Sequence, residues 1–148
     1  MKSHFFFFVF CAAFFSACLA EERVCMADVN PLGWESAVTV EYANGDSVAL
    51  HDLALVVRYG RDAKPGIIPI RIETITPDSL AAADTVLLRI PAPEVRSADF
   101  LEAEQSYRTH VRLSRKGIYR FRFEPAEERP VKDIRAIGIE IKKHHGKE

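Results

Sequence analysis

Apolar and polar positions alternate with a period of two along most of the chain beyond Glu35, the pattern of strands with one buried face. Val38, Val40 and Tyr42 alternate with Thr39 and Glu41, and Asn44-Gly45-Asp46 follows as a turn signal between strands. Leu53, Leu55, Val57 and Tyr59 share the next face, and residues 60–66 read as a loop. Ile68, Ile70 and Ile72 alternate with Arg71 and Glu73, with Pro69 marking an edge or a bulge. Val86, Leu88 and Ile90 make a further strand, stopped by Pro91 and Pro93. Residues 92–105 are polar and mixed and predict a long loop with a helical turn. Tyr107, Thr109, Val111 and Leu113 alternate with Arg108, His110 and Arg112; Tyr119, Phe121 and Phe123 alternate with Arg120 and Arg122. Ile137, Ile139 and Ile141 form the last strand, with a frayed tail after it. The best helix candidate, Ser79-Leu80-Ala81-Ala82-Ala83, is short.

About seven strands at short spacing without a long helix predict an all-β chain folded as one antiparallel β-sandwich, jelly-roll or immunoglobulin-like. Strand order is not readable from alternation. The strands Tyr107–Leu113 and Tyr119–Phe123 predict a hairpin with Leu113 opposite Tyr119, Arg112 opposite Arg120 and His110 opposite Arg122. Like charges facing each other cost something within the roughly 0.2–1 kcal/mol of cross-strand pairs. Two offsets are open: acidic neighbours, with Glu41, Glu73 and Glu140 the candidates, or an acidic partner or anionic glycan docked on that face. Arg108, His110, Arg112, Arg120 and Arg122 are therefore candidate partner-binding residues.

The amino-terminal segment changes the setting. Met1-Lys2-Ser3-His4 precedes an apolar run from Phe5 to Ala20 broken only by Ser16, and Glu21, Glu22 and Arg23 close it. A basic start, a short apolar core and small residues at its end make a secretory signal peptide, shorter than the roughly 20 residues of a membrane span. Phe15-Ser16-Ala17-Cys18 resembles a bacterial lipobox with Phe15 in place of leucine, so Cys18 is the candidate lipidation site; ordinary cleavage after Ala20 is the alternative. Glu21-Glu22 resembles the surface-export signal of some Bacteroidota lipoproteins, or serves as a charged tether. The predicted layout is a signal peptide over 1–17, a lipidated cysteine and tether over 18–30, a sandwich over 31–142 and a flexible tail over 143–148. Acylation would hold the protein to a membrane of the cell envelope, the outer membrane in a periplasmic or surface-facing orientation.

About 130 residues beyond the leader suffice for one domain with one core. The formal net charge of −1 argues against nucleic acid as a partner. Of three cysteines, Cys11 leaves with the signal, Cys18 is acylated and Cys25 is left alone, so no intrachain disulfide is expected.

No nucleophile elbow, phosphate-binding loop, dinucleotide fingerprint or zinc-protease motif occurs, and neither catalytic residues nor a cofactor are expected. His51 and Asp52 are neighbours, but adjacent strand residues face opposite ways, so solvation at a strand start is the reading for both. His144-His145 sits in a lysine-rich tail with no third ligand close in sequence, and no metal site is expected there. Glu102 with Glu104, or Glu124 with Glu127 and Glu128, offer carboxylate pairs of the kind glycoside hydrolysis needs, at a separation sequence does not give. Charged loop residues are their ordinary explanation. Trp34 suits either an aromatic platform for a sugar or partner, or packing at the first strand.

Taken together, several elements resemble the gliding-motility lipoprotein GldH family. They are Trp34-Glu35 ahead of Val38-Thr39-Val40, the strand Asp52-Leu53-Ala54-Leu55-Val56-Val57-Arg58-Tyr59, the Asp84-Thr85-Val86 strand start, Gly117-Ile118-Tyr119-Arg120-Phe121, and the closing strand from Ile134 through Gly138 to Ile141. The segment after Arg58, Lys64-Pro65-Gly66-Ile67, and the segment 91–100 lack the aromatic and glycine-tryptophan loops of that pattern. The resemblance implies a non-enzymatic envelope lipoprotein linked to gliding-motility and secretion machinery, with envelope proteins as partners. The alternative is a carbohydrate- or peptidoglycan-binding sandwich.

Overall fold

The computed structural model describes residues 22–92 and 99–144, so the segment expected to be a signal peptide, Cys18 and His145 lie outside the described residues. Eight strands follow in chain order: β1 (Glu22–Asp28), β2 (Val38–Asn44), β3 (Leu50–Gly60), β4 (Gly66–Ile75), β5 (Ala81–Ile90), β6 (Phe100–Arg112), β7 (Gly117–Pro125) and β8 (Ile134–Lys143). They form two four-stranded antiparallel sheets, ordered β1-β8-β3-β6 and β2-β7-β4-β5. Among the described residues only β4 and β5 are a hairpin within one sheet; every other pair of consecutive strands lies in different sheets, which is jelly-roll topology.

The alternating apolar residues meet between the sheets. Leu55, Val57, Ile70, Ile72, Phe121, Phe123, Ile137 and Ile139 are each fully buried there. Burial stabilises each such side chain by about 1.5–3 kcal/mol. Pro69 lies on inner strand β4, but the pairing of β4 with β7 begins only at Ile70 opposite Pro125, so on that side Pro69 meets no ladder donor requirement.

Four sequence expectations change. The segment assigned to a tether forms β1, whose residues pair with β8 from Glu22 opposite Lys142 to Asp28 opposite Ala136. Its apolar residues, Val24 to Ala27, are consecutive and give no alternation to read. The helix candidate is instead a turn with Ser79 at φ 66°, followed by β5. Ala81, Ala82 and Ala83 pair with Ile75, Thr74 and Glu73, and five residues cannot repay helix nucleation against that ladder. Residues 100–105, expected as loop, begin the edge strand β6, where the half-buried positions include Ala103 and Gln105 and so carry little apolar contrast. The tail remains paired through His144, whose N–H donates to Leu50 O at 2.8 Å.

The predicted hairpin is also absent, because β6 and β7 belong to different sheets. Residues 113–116 form an arch over the end of the sandwich. Leu113 turns into the core, and the buried Asn44 amide donates to Leu113 O and Arg115 O, each at 2.8 Å. Tyr119 Oη accepts the Arg115 N–H at 3.0 Å, and Gly117 supplies the φ of 125° that the turn needs. Alternation is the same for a hairpin and an arch, so the two cannot be told apart from it.

Candidate functional site

The five basic candidates divide between opposite faces of the sandwich. Arg120 and Arg122 lie on the outer face of β7, where Arg120 Nε is 3.0 Å from Glu41 on β2. Arg122 approaches Glu73 at 3.5 Å and Glu124 at 3.6 Å, and Arg71 pairs with Glu124 at 2.6 Å. Acidic neighbours thus neutralise this face, with Glu41 and Glu73 in the expected role; Glu140 pairs instead with Lys142 at 2.8 Å on the other sheet. Arg108, His110 and Arg112 are exposed along β6. Arg108 contacts Asp84 of β5, and Tyr107 donates its hydroxyl proton to the same carboxylate at 2.8 Å. These bonds, with the Gln105 amide bound to Arg89 N–H and Leu87 O, join the edge strands of the two sheets. The hydroxyl of Tyr107 and the guanidinium of Arg108 hold Asp84 below the usual carboxylate range.

Trp34 is 2% exposed and belongs to the core cluster, with its backbone bridged to Val131 and its indole N–H donated to Ser36 O at 2.7 Å. Its ring closes the end of the core, and no open face remains for a ligand. Glu102 pairs with Arg58 at 3.2 Å and Glu104 approaches Lys142 at 3.7 Å, so these carboxylates hold surface ion pairs. An open cleft of ≈ 540 Å³ lies beside Ile68, Ile90 and Val131, with Lys64, Arg129 and Lys132 among its walls.

The arrangement that sequence reasoning missed is at the end of the β8-β3-β6 face. Asp52 has no partner in the β6 ladder: His51 pairs with Val111 and Leu53 with Arg108, which leaves Thr109 and His110 facing one residue. This is a β-bulge, and His110 sits in it at φ 56°. Such a conformation is uncommon for a residue with a Cβ. The bulge frees the His110 N–H from the ladder, and it donates to Asp52 Oδ1 at 2.9 Å. The second oxygen, Oδ2, lies 2.8 Å from His144 Nδ1. The His110 and His144 rings have centroids 4.0 Å apart, tilted by 52°. These contacts, His144 first, hold the Asp52 carboxyl below its ordinary range. One side-chain donor from each of Asp52, His110 and His144 lies within 4.8 Å of the other two. The positions 52, 110 and 144 are far apart in the chain, and only the ladder of three adjacent strands aligns them.

His51, read as solvated, is 3% exposed, and its Nδ1 finds no hydrogen-bond partner. It continues the core-facing parity of Leu53 and Leu55, opposite to Asp52. Cys25 is half-buried on β1, and burial pushes its thiol up, away from the reactive thiolate.

No protein-family profile matches the chain, and no curated protein does. Among solved structures it is similar to the enzymatically active domain of tailspike protein 4 of bacteriophage CBA120, at TM-score 0.33 and 11% identity over 83% of this chain and 18% of that one. A likeness at this level says nothing about function.

Proposed function

We propose that the protein is a non-enzymatic envelope lipoprotein of the GldH type, anchored through acylated Cys18, whose jelly-roll domain docks envelope proteins of a motility or secretion assembly. What supports this reading is the lipobox-like Phe15-Ser16-Ala17-Cys18 at the end of the apolar run, and the start of β1 at Glu22 says where the fold would then sit. Only three residues separate Cys18 from the first strand, a reach of at most about 14 Å when extended. An acyl anchor at Cys18 would therefore hold the sandwich against the membrane surface rather than on a long leash. The carbohydrate-binding alternative leaned on Trp34 as a platform, and the burial of that indole removes its main support.

Labelling with a palmitate analogue in the native host tests the anchor. Label should be lost in Cys18→Ser and retained in Cys25→Ser; an unlabelled mature protein beginning at Glu21 would reject it. Crosslinking the intact lipoprotein in its own membrane should then recover defined envelope proteins. Recovery of glycan alone, with saturable binding on a sugar array, would favour the alternative.

A further inference from the structure

We propose that Asp52, His110 and His144 form a binding site for one divalent transition-metal ion of the zinc class. Two imidazoles and a carboxylate are the donor set that suits zinc, cobalt, nickel or copper, whereas magnesium and calcium prefer all-oxygen shells. Each ligand comes from a different strand or its immediate end, on β3, β6 and β8, and all three face the same side of one sheet. The site is thus set by rigid backbone ladders on two sides. His144 is fixed by its N–H bond to Leu50 O, and Asp52 is oriented by the backbone N–H of His110. A hydrogen bond to a metal-binding carboxylate from a group that does not itself hold the ion, here the backbone of His110, fixes its direction.

In the present geometry Asp52 Oδ2 and His144 Nδ1 lie within hydrogen-bond distance, 2.8 Å apart. An ion at 2.0–2.1 Å from each donor in a tetrahedral site requires donors about 3.3 Å apart. That pair must open by about half an ångström, and the remaining separations of up to 4.8 Å must close. His110 is exposed on the edge strand, so rotation of its ring supplies the closure. Nearby cations are already engaged: Lys143 with Asp46 at 3.2 Å, and Lys142 with Glu140 at 2.8 Å. With three protein donors, a fourth position remains open to water or to a donor from outside the chain. The ion would also join the carboxy-terminal end of β8 to the bulge in β6, closing the end of the sheet.

Full-length protein in detergent, carrying no polyhistidine tag, is titrated with Zn2+ by calorimetry and with Co2+ by visible absorption. The expected result is one ion per chain, a cobalt ligand-field band, and a melting temperature raised by a few degrees at saturating Zn2+. Mg2+ should produce none of these. His110→Gln and His144→Gln, both at solvent-accessible positions, should each weaken Zn2+ binding about tenfold or more, as should the isosteric Asp52→Asn, while His145→Gln should leave it unchanged. Absence of stoichiometric binding overturns the proposal. So does binding that survives both His110→Gln and His144→Gln, or binding that His145→Gln abolishes, since that would be chelation by the tail.

Discussion

Gly138 shows how little room separates β1 from β8. A Cβ built there would lie 1.9 Å from the Cys25 carbonyl oxygen and 2.7 Å from Met26 Cα, both backbone atoms that no rotamer change moves. Gly138→Ala is therefore expected to cost about 3 kcal/mol or more, through displacement of β1, when measured by urea unfolding. An unchanged midpoint would mean that the two strands are not packed this closely. Asp46 acts at the same scale through charge. Its carboxylate accepts the N–H groups of Val48 and Ala49 at 2.9 and 3.0 Å and meets Lys143 at 3.2 Å. Those backbone bonds lead in lowering its pKa from 3.8 to about 2. Because the folded value lies below the unfolded one, its stabilisation is present above pH about 4 and is lost as pH falls through about 2. The stability gap between the native protein and Asp46→Asn should accordingly shrink between pH 5 and pH 2. A gap constant over that range would contradict the assignment.

At the scale of elements, the arch between β6 and β7 decides the charge pattern of the surface. A hairpin would put Arg112 beside Arg120; the arch sends them to different sheets, where Arg120 faces Glu41 across β2. A double-mutant cycle separates the arrangements. Arg112→Ala and Arg120→Ala should add to within about 0.5 kcal/mol, as independent sites do. Arg120→Ala and Glu41→Ala should show a favourable coupling of a few tenths of a kcal/mol, typical of exposed pairs. A repulsive coupling between the two arginines would restore the hairpin. Period-two alternation carried β7 correctly, but in β6 the bulge at Thr109 and His110 breaks the period and leaves Thr109, placed toward the core by parity, exposed. The partner of each strand was set by Asn44, Leu113 and Gly117 at the crossing, through contacts between segments distant in sequence.

For the molecule as a whole, the position of β1 matters most. It covers the edge of β8, and Cys25 and Ala27 pack against the core from that side. A chain beginning at Pro31, where the sequence pattern places the start of the domain, would uncover the β8 edge along its length. Exposed long edges template association. Such a chain is expected to aggregate or to unfold at lower urea than one beginning at Glu22, by light scattering and fluorescence. Equal midpoints and monomeric scattering would show that β1 is dispensable. The same strand begins at Glu22, three residues beyond Cys18, the anchor proposed above, so an acyl chain there would act next to the first strand of the fold.

The sequence by itself determined the class of the fold and the identity of its core. Leu55 and Val57, Ile70 and Ile72, Phe121 and Phe123, Ile137 and Ile139 are all placed by parity alone, because a strand with one face in the core must alternate. It left β1 and the start of β6 unread, since Glu22–Asp28 and residues 100–105 have too little contrast between faces to reveal a period. The crossings between sheets, the burial of Trp34 and the separation of the two arginine groups were decided by tertiary structure, because alternation specifies which side a residue faces and not which strand lies beside it. The meeting of Asp52, His110 and His144 belongs to the same category. It needs the register of three strands and one bulge, and a register exists only once the sheet has formed.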